Sequence, residues 1–383
     1  MSYFETGTAS DVNDMLGKLR TALAGNGYTL VTNDRAGGTG GQFVQMVKDG
    51  MVVNLRTGFN NEIPVAKPEE RSTRWTGNNT WSWNYYWNTY VNGSYTNVYW
   101  NPSWIAMNIS TGVDGGASWH NQPGAPGSTE KRGIAVMATA AGAISRYWIF
   151  INENPDTVLV IMEVYPNKFE RLAFGRLILN QEIQAGGEWF EGSRPIYHHF
   201  NGAVFPFHGS LDASKNQWGN DGHVFGRLVD SRWTIDDQLE GWHHGIFTSA
   251  VANSYGPNNY WSLLGIPQPD DNNSNPESYG FRSAVNQSYL RDEGRSILHP
   301  IAFWKQMNGG GYTLIGHVGH IALCSMESVL AGEALAGVGE TYLAFPGHSR
   351  ISPWNNQVYS QNTGVPADAV YNFYGMGIAV RKP

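Results

Sequence analysis

Helical periodicity is clear in only one stretch of this 383-residue chain, residues 10–25. Elsewhere, short runs in which apolar and polar residues alternate are separated by turns rich in glycine, and the 46 glycines follow no triplet period. Such a chain folds mainly from β-strands and turns. In the helical stretch Ser10 or Asp11 can cap the first turn. One face then carries apolar residues every three or four positions: Val12, Met15, Leu16, Leu19 and Leu23.

We therefore predict a mainly β protein, with a β-sandwich or jelly-roll-like body and a small α+β unit at the N-terminus. Residues 1–66 form a helix-plus-sheet docking unit, in which Asp49 and Gly50 make a two-residue hairpin turn. Residues 67–240 form a β-rich domain and residues 241–383 a second one, although these two parts can also make a single body. The first boundary rests on PVAKPEERST, which has the prolines and mixed charge of a linker.

The strongest local pattern is WSWNYYWNTY, in which Trp81, Trp83, Tyr85 and Trp87 occupy alternate positions. In a strand these four side chains share one face. Either this face is a wall of the buried core, or it is an exposed platform for a sugar or a neighbouring subunit. We favour burial, because four exposed aromatic rings in a row promote aggregation unless something covers them.

Other strands are predicted on both sides of a polar turn at Asn152 to Asp156. The last third of the chain contains three more, at YTLIGHVGHIAL, TYLAFP and GIAVRK. Between them, SMESVLAGEALAGVGE is interpreted as either a short helix or a loop.

Few residues have the setting of a catalytic group. Glu163 lies in the middle of an apolar strand, where it is either a general acid of the glycosidase type or, as is more common, the partner of an arginine across the sheet. Cys324, the single cysteine, lies in an apolar stretch and is predicted to be buried and inert. The GxSxG, HExxH and paired CxxC motifs are absent from the sequence. We predict no catalytic residue.

The histidines give no clear metal site. His317 and His320 are three residues apart in a predicted strand, so they face opposite sides of the sheet. Asp221 and His223 have the spacing of two ligands on one side of a strand, which leaves a structural metal open. We predict no cofactor.

Charge and hydropathy exclude several partners. The 25 basic and 32 acidic residues give a net charge of −7 without a run of either sign, whereas a nucleic-acid binder needs a concentrated basic surface. The sequence contains neither the pattern of a signal peptide nor an apolar run of about 18 residues, so we expect no membrane association and synthesis in a cytoplasm.

Three blocks of sequence occur in a familiar order. The first is YFETGTASDVNDMLGKLRTALAGNGYTL, and the second is RYWIFINENPDTVLVIMEVYPNKFERLAFGRL, followed by a turn at Gly186 and Gly187. The third comprises GETYLAFPGHSR and YGMGIAVRKP. Together, the blocks resemble the structural proteins of tailed-bacteriophage virions.

The resemblance implies a non-enzymatic component of the tail, baseplate or neck. Such a protein is made in the host bacterial cytoplasm, is located in the virion, and contacts other virion proteins and copies of itself. Tyr3 and Phe4, which precede the helix, are then expected to be held against the body or a neighbouring subunit. With the four aromatic residues at positions 81–87, they are our candidates for subunit contacts or a ligand platform.

Two alternatives stay open. One is a β-domain that binds or cleaves carbohydrate at the host surface, with a glycan as partner and Trp81, Trp83 and Trp87 lining an open groove. The other stays within the structural class, as a capsid decoration or fibre-anchoring protein.

Overall fold

The computed structural model describes residues 2–35, 41–58, 87–91, 94–98, 103–126, 134–139, 142–165, 168–181, 183, 186–192, 194–196, 225–226, 298–306, 312–325, 329–336, 339–346 and 376–383. In these residues the protein is mainly β, as predicted, with antiparallel sheets and one short helix.

The first strands and the helix are β1 (Tyr3–Ala9), α1 (Val12–Gly25), β2 (Thr29–Arg35), β3 (Gln42–Lys48), β4 (Met51–Gly58), β5 (Trp87–Val91), β6 (Ser94–Val98), β7 (Ser103–Ser110) and β8 (Ile134–Thr139). Then follow β9 (Ile144–Asn152), β10 (Thr157–Tyr165), β11 (Lys168–Leu179), β12 (Glu188–Gly192), β13 (Arg194–Ile196) and β14 (Phe225–Gly226). The last are β15 (His299–Gln306), β16 (Tyr312–Ser325), β17 (Glu333–Ala336), β18 (Thr341–Pro346) and β19 (Met376–Lys382).

The helix α1 confirms the sequence prediction. Asp11 is its N-cap, with one carboxylate oxygen accepting a hydrogen bond from the Asp14 amide at 2.8 Å. Gly27, with a φ of +87°, takes the left-handed conformation that ends helices. The buried face carries all five predicted apolar residues together with Ala22.

Two predicted turns are also confirmed. Asp49 and Gly50 both have positive φ and join β3 to β4 in a two-residue hairpin. β9 and β10 pair from Asn152 and Thr157 outward, around the polar turn between them.

Six strands form one sheet, in the order β13-β8-β7-β4-β3-β2. The longer sheet follows the order β1-β9-β10-β11-β16-β19-β18-β17, with β12, β14 and β15 attached at its sides. One of the antiparallel sheets curls into a half-barrel. We assign the curl to the longer sheet, because β19 contacts β9 although β10, β11 and β16 lie between them in the strand order.

Strands β9 to β11 form the central layer of the molecule, buried on both faces. Alternate residues, such as Ile149 and Val160, pack against α1 and the inner face of the six-stranded sheet. The residues between them, such as Phe150 and Ile161, pack against β16, β18 and β19 inside the curl. Successive side chains of these strands therefore face two different cores, so a run such as VLVIM is apolar throughout.

Strand pairing crosses both predicted domain boundaries. β4 of the N-terminal part pairs with β7 along Val52 to Gly58, and β11 pairs with β16 across residue 240. The division at residues 66 and 240 stays a prediction.

The last third of the chain contains β16, β18 and β19 where strands were predicted. The prediction of a helix or loop at SMESVLAGEALAGVGE was wrong for residues 333–336. These residues form β17, which pairs with β18 from Glu333–Ala344 to Ala336–Thr341. The other strand supplies the hydrogen bonds that local sequence does not show.

Candidate functional site

Tyr3 and Phe4 lie on β1 and are held against the body of their own chain. The Phe4 ring is 5.0 Å from that of Phe150, with the Lys382 ammonium 4.9 Å from its centroid. Tyr3, on the opposite face of the strand, packs against the core that contains α1. The two neighbours thus attach β1 to both cores.

A carboxylate next to these residues holds two phenols. Glu5 accepts a hydrogen bond from the hydroxyl of Tyr3 with one oxygen and from that of Tyr147 with the other. The bond to Glu5 is the main cause that raises the pKa of Tyr3 to about 12, whereas burial is the main cause that raises that of Tyr147. Both phenols therefore remain protonated donors at neutral pH, and the bond from Tyr147 of β9 to Glu5 helps to fix β1 on β9.

The predicted aromatic strand is only partly within the described residues. Trp81, Trp83 and Tyr85 lie outside them. Trp87 is the first residue of β5 and is opposite Val98 of β6. Whether these rings form core, subunit contact or ligand platform stays a prediction.

Glu163 pairs with an arginine across the sheet. It is opposite Arg146 in the register of β9 and β10, and its carboxylate oxygen lies 3.7 Å from the Arg146 Nε. Cys324 is buried, and burial raises the pKa of its thiol to about 12, so the thiolate is negligible at neutral pH. Glu163 thus has an arginine partner across the sheet, the more common of its two interpretations, and Cys324 is buried as predicted.

His317 and His320 both lie in β16, a strand as predicted. The described residues contain no group of three or more His, Cys, Asp or Glu side chains arranged to hold a metal ion. Asp221 and His223 lie outside the described residues.

A buried ion pair was not predicted from the sequence. Arg171 of β11 and Glu191 of β12 are almost fully buried, with Nη2 and Oε1 3.1 Å apart. Burial raises the pKa of Glu191 to about 7, and Arg171 opposes this shift without cancelling it. The second carboxylate oxygen of Glu191 and the Trp189 indole nitrogen are buried without a hydrogen-bond partner. The only sequence signal for this ion pair is the presence of charged residues inside two apolar strands.

A second ion pair links the two sheets. Lys48 at the end of β3 lies 2.7 Å from the Asp156 carboxylate and 3.9 Å from that of Glu153, both in the β9–β10 turn. The Lys48 ammonium also lies 5.3 Å from the ring centroid of Tyr28. This pair connects the turn ends of the two sheets.

Buried amides cross three strands of the six-stranded sheet. The Gln45 amide donates to Asn54 at 2.9 Å, and the Asn54 amide donates to Asn108 at 3.0 Å and to Ser110 at 2.9 Å. Asn108 in turn donates to the carbonyl of His120, in the loop after β7. We call these linked side chains the row. It explains why polar residues interrupt these apolar strands, because each buried amide forms a hydrogen bond with the next.

Replacing Asn54 with alanine is expected to lower the free energy of unfolding strongly. The substitution removes an acceptor from Gln45 and a donor from Asn108 and Ser110, and each buried polar group left unpaired costs about 1–3 kcal/mol. Urea denaturation measures the loss. Thr21→Ala, at an exposed helix position, is the control with little expected change. An Asn54→Ala variant as stable as that control would contradict the role of the row.

The ion pairs and the row of buried amides each hold one part of the fold against another. Within the described residues, no helix has both the length and the apolar character needed to cross a bilayer.

Comparison with models of protein families finds no match, and comparison with curated proteins likewise finds none.

Proposed function

We propose that the chain is a non-enzymatic structural component of a tailed-bacteriophage virion, in the tail, baseplate or neck. It contacts other virion proteins and copies of itself. The resemblance in three sequence blocks suggests this role, and the packing of those blocks supports it.

The observation that most directly supports this proposal is that the three sequence blocks pack against one another. The first contributes β1 and α1, the second β9 to β11, and the third β18 and β19. Phe4, Phe150 and Phe345, one from each block, form an aromatic cluster: centroids are 5.0 Å apart for Phe4–Phe150 and 6.0 Å apart for Phe150–Phe345. Blocks that build a shared core are what a common fold requires, whereas chance matches have no reason to pack together.

The edge of the six-stranded sheet offers a means of assembly. Among the described strands β2 pairs only with β3, so none of these strands pairs with its other edge. Leu30 and Val31 on this edge are each 44% exposed. An edge strand with exposed apolar residues is a template for another strand. We take its occupant to be a strand of a neighbouring virion subunit.

The location of the chain tests the proposal. Particles of the phage that encodes it are purified on a density gradient, and virion proteins are quantified by mass spectrometry and located by electron cryomicroscopy. We expect the chain in a fixed ratio to other virion proteins, because closed assemblies have defined stoichiometry. Presence in the lysate but not in the particles would refute the proposal. Binding of host glycans by the isolated protein would instead favour the carbohydrate-binding alternative.

Replacing Leu30 and Val31 together with lysine is expected to reduce incorporation into particles without unfolding the subunit. Lysines on an edge strand hinder strand addition, and an interface weakened by about 1.4 kcal/mol loses about tenfold in affinity. Complementation of a phage lacking the wild-type gene measures incorporation. Val113→Lys is the matched control, since Val113 is 40% exposed in the loop after β7. Equal incorporation of both variants would exclude the edge as a contact.

A further inference from the structure

The half-barrel is held along a seam, which we define as the contact of the β9–β10 turn region with β16 and β19. The hydroxyl of Thr157 donates to the Gly319 carbonyl of β16 at 3.1 Å. The Asn152 amide donates to the Arg381 carbonyl of β19 at 3.2 Å. β10 is not a neighbour of β16 in the strand order, nor is β9 a neighbour of β19. The seam is therefore a contact between separate parts of one curled sheet.

His320, on β16, contacts the turn across the seam with one ring nitrogen and Arg381 of the adjacent strand β19 with the other. Nε2 lies 3.0 Å from the Glu153 carbonyl oxygen. Because a carbonyl only accepts, Nε2 must carry the hydrogen, and in the neutral ring Nδ1 is then an acceptor. Nδ1 faces the Arg381 Nη1 at 3.5 Å. His320 also has a φ of +65°, a conformation that non-glycine residues adopt rarely and that the surrounding contacts must maintain.

We propose that His320 is a pH-sensitive latch of the half-barrel, which holds the Arg381 end of β19 at the seam when the ring is neutral and releases it when the ring is protonated. Protonation places a hydrogen on Nδ1, so the acceptor that faces Arg381 is lost. The imidazolium and the guanidinium then repel each other. The bond from Nε2 to Glu153 survives, and so does the ladder of β16 and β19 that begins at Ile321 and Val380. The expected change is therefore local: the Arg381 end of β19 moves away from His320 and from the Asn152 amide.

The charged groups around the latch come from every element of the seam. Arg381 on β19 is paired with Glu340, before β18, at 3.1 Å, and Glu153 and Asp156 in the turn surround Lys48 of β3. Burial, followed by Arg381, lowers the pKa of His320, while hydrogen bonds to the turn carbonyls and the charge of Glu340 oppose the shift. The neutral ring is therefore the stable form in the closed seam.

The sign of the pH effect follows from this direction. A histidine with a lower pKa in the folded protein than in the unfolded chain, where it is about 6.5, stabilises the fold fully above that value. The contribution declines as the pH falls below about 6.5 toward the folded-state pKa. Loosening of the seam is thus expected in mildly acidic solution.

Hydrogen exchange of the full chain tests the latch. Protection of peptides covering β19 and residues 153–156 is measured at pH 7.5 and at about pH 5, after correction for intrinsic rates. We expect protection in the wild type to be lower at the acidic pH, by about threefold. In His320→Gln the drop should disappear, while His317→Gln, changed on the same strand outside the seam, should behave as wild type.

Two results would overturn the proposal: a wild-type seam equally protected at both pH values, or a His320→Gln variant with an undiminished drop. If that variant fails to fold, titration of the wild-type histidines by NMR decides. His320 should then titrate below 6.5, and Arg381→Gln should raise its pKa by removing the facing charge. An unchanged pKa in Arg381→Gln would also reject the latch.

Discussion

Replacing Arg171 with methionine is expected to lower the free energy of unfolding by about 3–5 kcal/mol near neutral pH. The substitution keeps most of the apolar stem but removes the guanidinium beside Glu191, which is almost fully buried. A buried carboxylate without its counter-charge must either be ionised at high cost or take up a proton. Urea denaturation at several pH values measures both effects.

The pH dependence separates this mechanism from a simple loss of packing. Burial already raises the pKa of Glu191 to about 7 with Arg171 present. A carboxyl with a raised folded-state pKa contributes most below its unfolded pKa, about 4.3, and loses that contribution as the pH rises through the folded value. Without the arginine the folded pKa rises further, so Arg171→Met should be least harmful in acid and most harmful above neutrality.

A second substitution completes the test. Arg171→Met combined with Glu191→Leu replaces the pair by apolar side chains, a change that is often neutral or stabilising. We expect the double variant to recover most of the lost stability and to lack the pH dependence of the single variant. If the double variant is as unstable as the sum of the two single ones, the charges are not coupled and the interpretation is wrong.

Sequence predicted the parts of the fold that depend on neighbouring residues. The cap of α1 needs Asp11 and Asp14, and the β3–β4 turn needs only Asp49 and Gly50. Such local chemistry is visible without knowledge of the fold. The Glu163–Arg146 pair was within reach too, because the hairpin of β9 and β10 sets their register.

Contacts between distant segments were not predictable in the same way. Four-residue β17 becomes a strand because β18 pairs with it. Arg171 and Glu191 meet because β11 and β12 pair, and Glu188, also buried, shows that no simple charge pattern marks the partner. The latch at His320 depends on the curl of a whole sheet, which no spacing of residues encodes. Sequence thus indicated the elements that local patterns define, while the contacts between strands that build the candidate sites follow from the topology.

Replacing Phe150 with alanine is the second change expected to have a large effect, a loss of about 3–5 kcal/mol in the free energy of unfolding. Phe150 is fully buried in the central layer and contacts Phe4 from the N-terminal strand and Phe345 from β18. Leu330→Ala is the control for loss of an apolar side chain, since Leu330 is 77% exposed and should change stability little. Equal losses in the two variants would contradict the position assigned to Phe150.

The same ring also tests whether the three blocks act as one core. Phe4→Ala and Phe345→Ala each remove one partner, so each should cost less in a protein that already lacks Phe150 than in the wild type. For residues in contact, the coupling in a double-mutant cycle is about 0.5–3 kcal/mol. Additive losses in both cycles would mean that the blocks are stabilised independently. The packing argument for the proposed virion role would then lose its basis, whereas coupling in both cycles would show that the blocks stabilise one another.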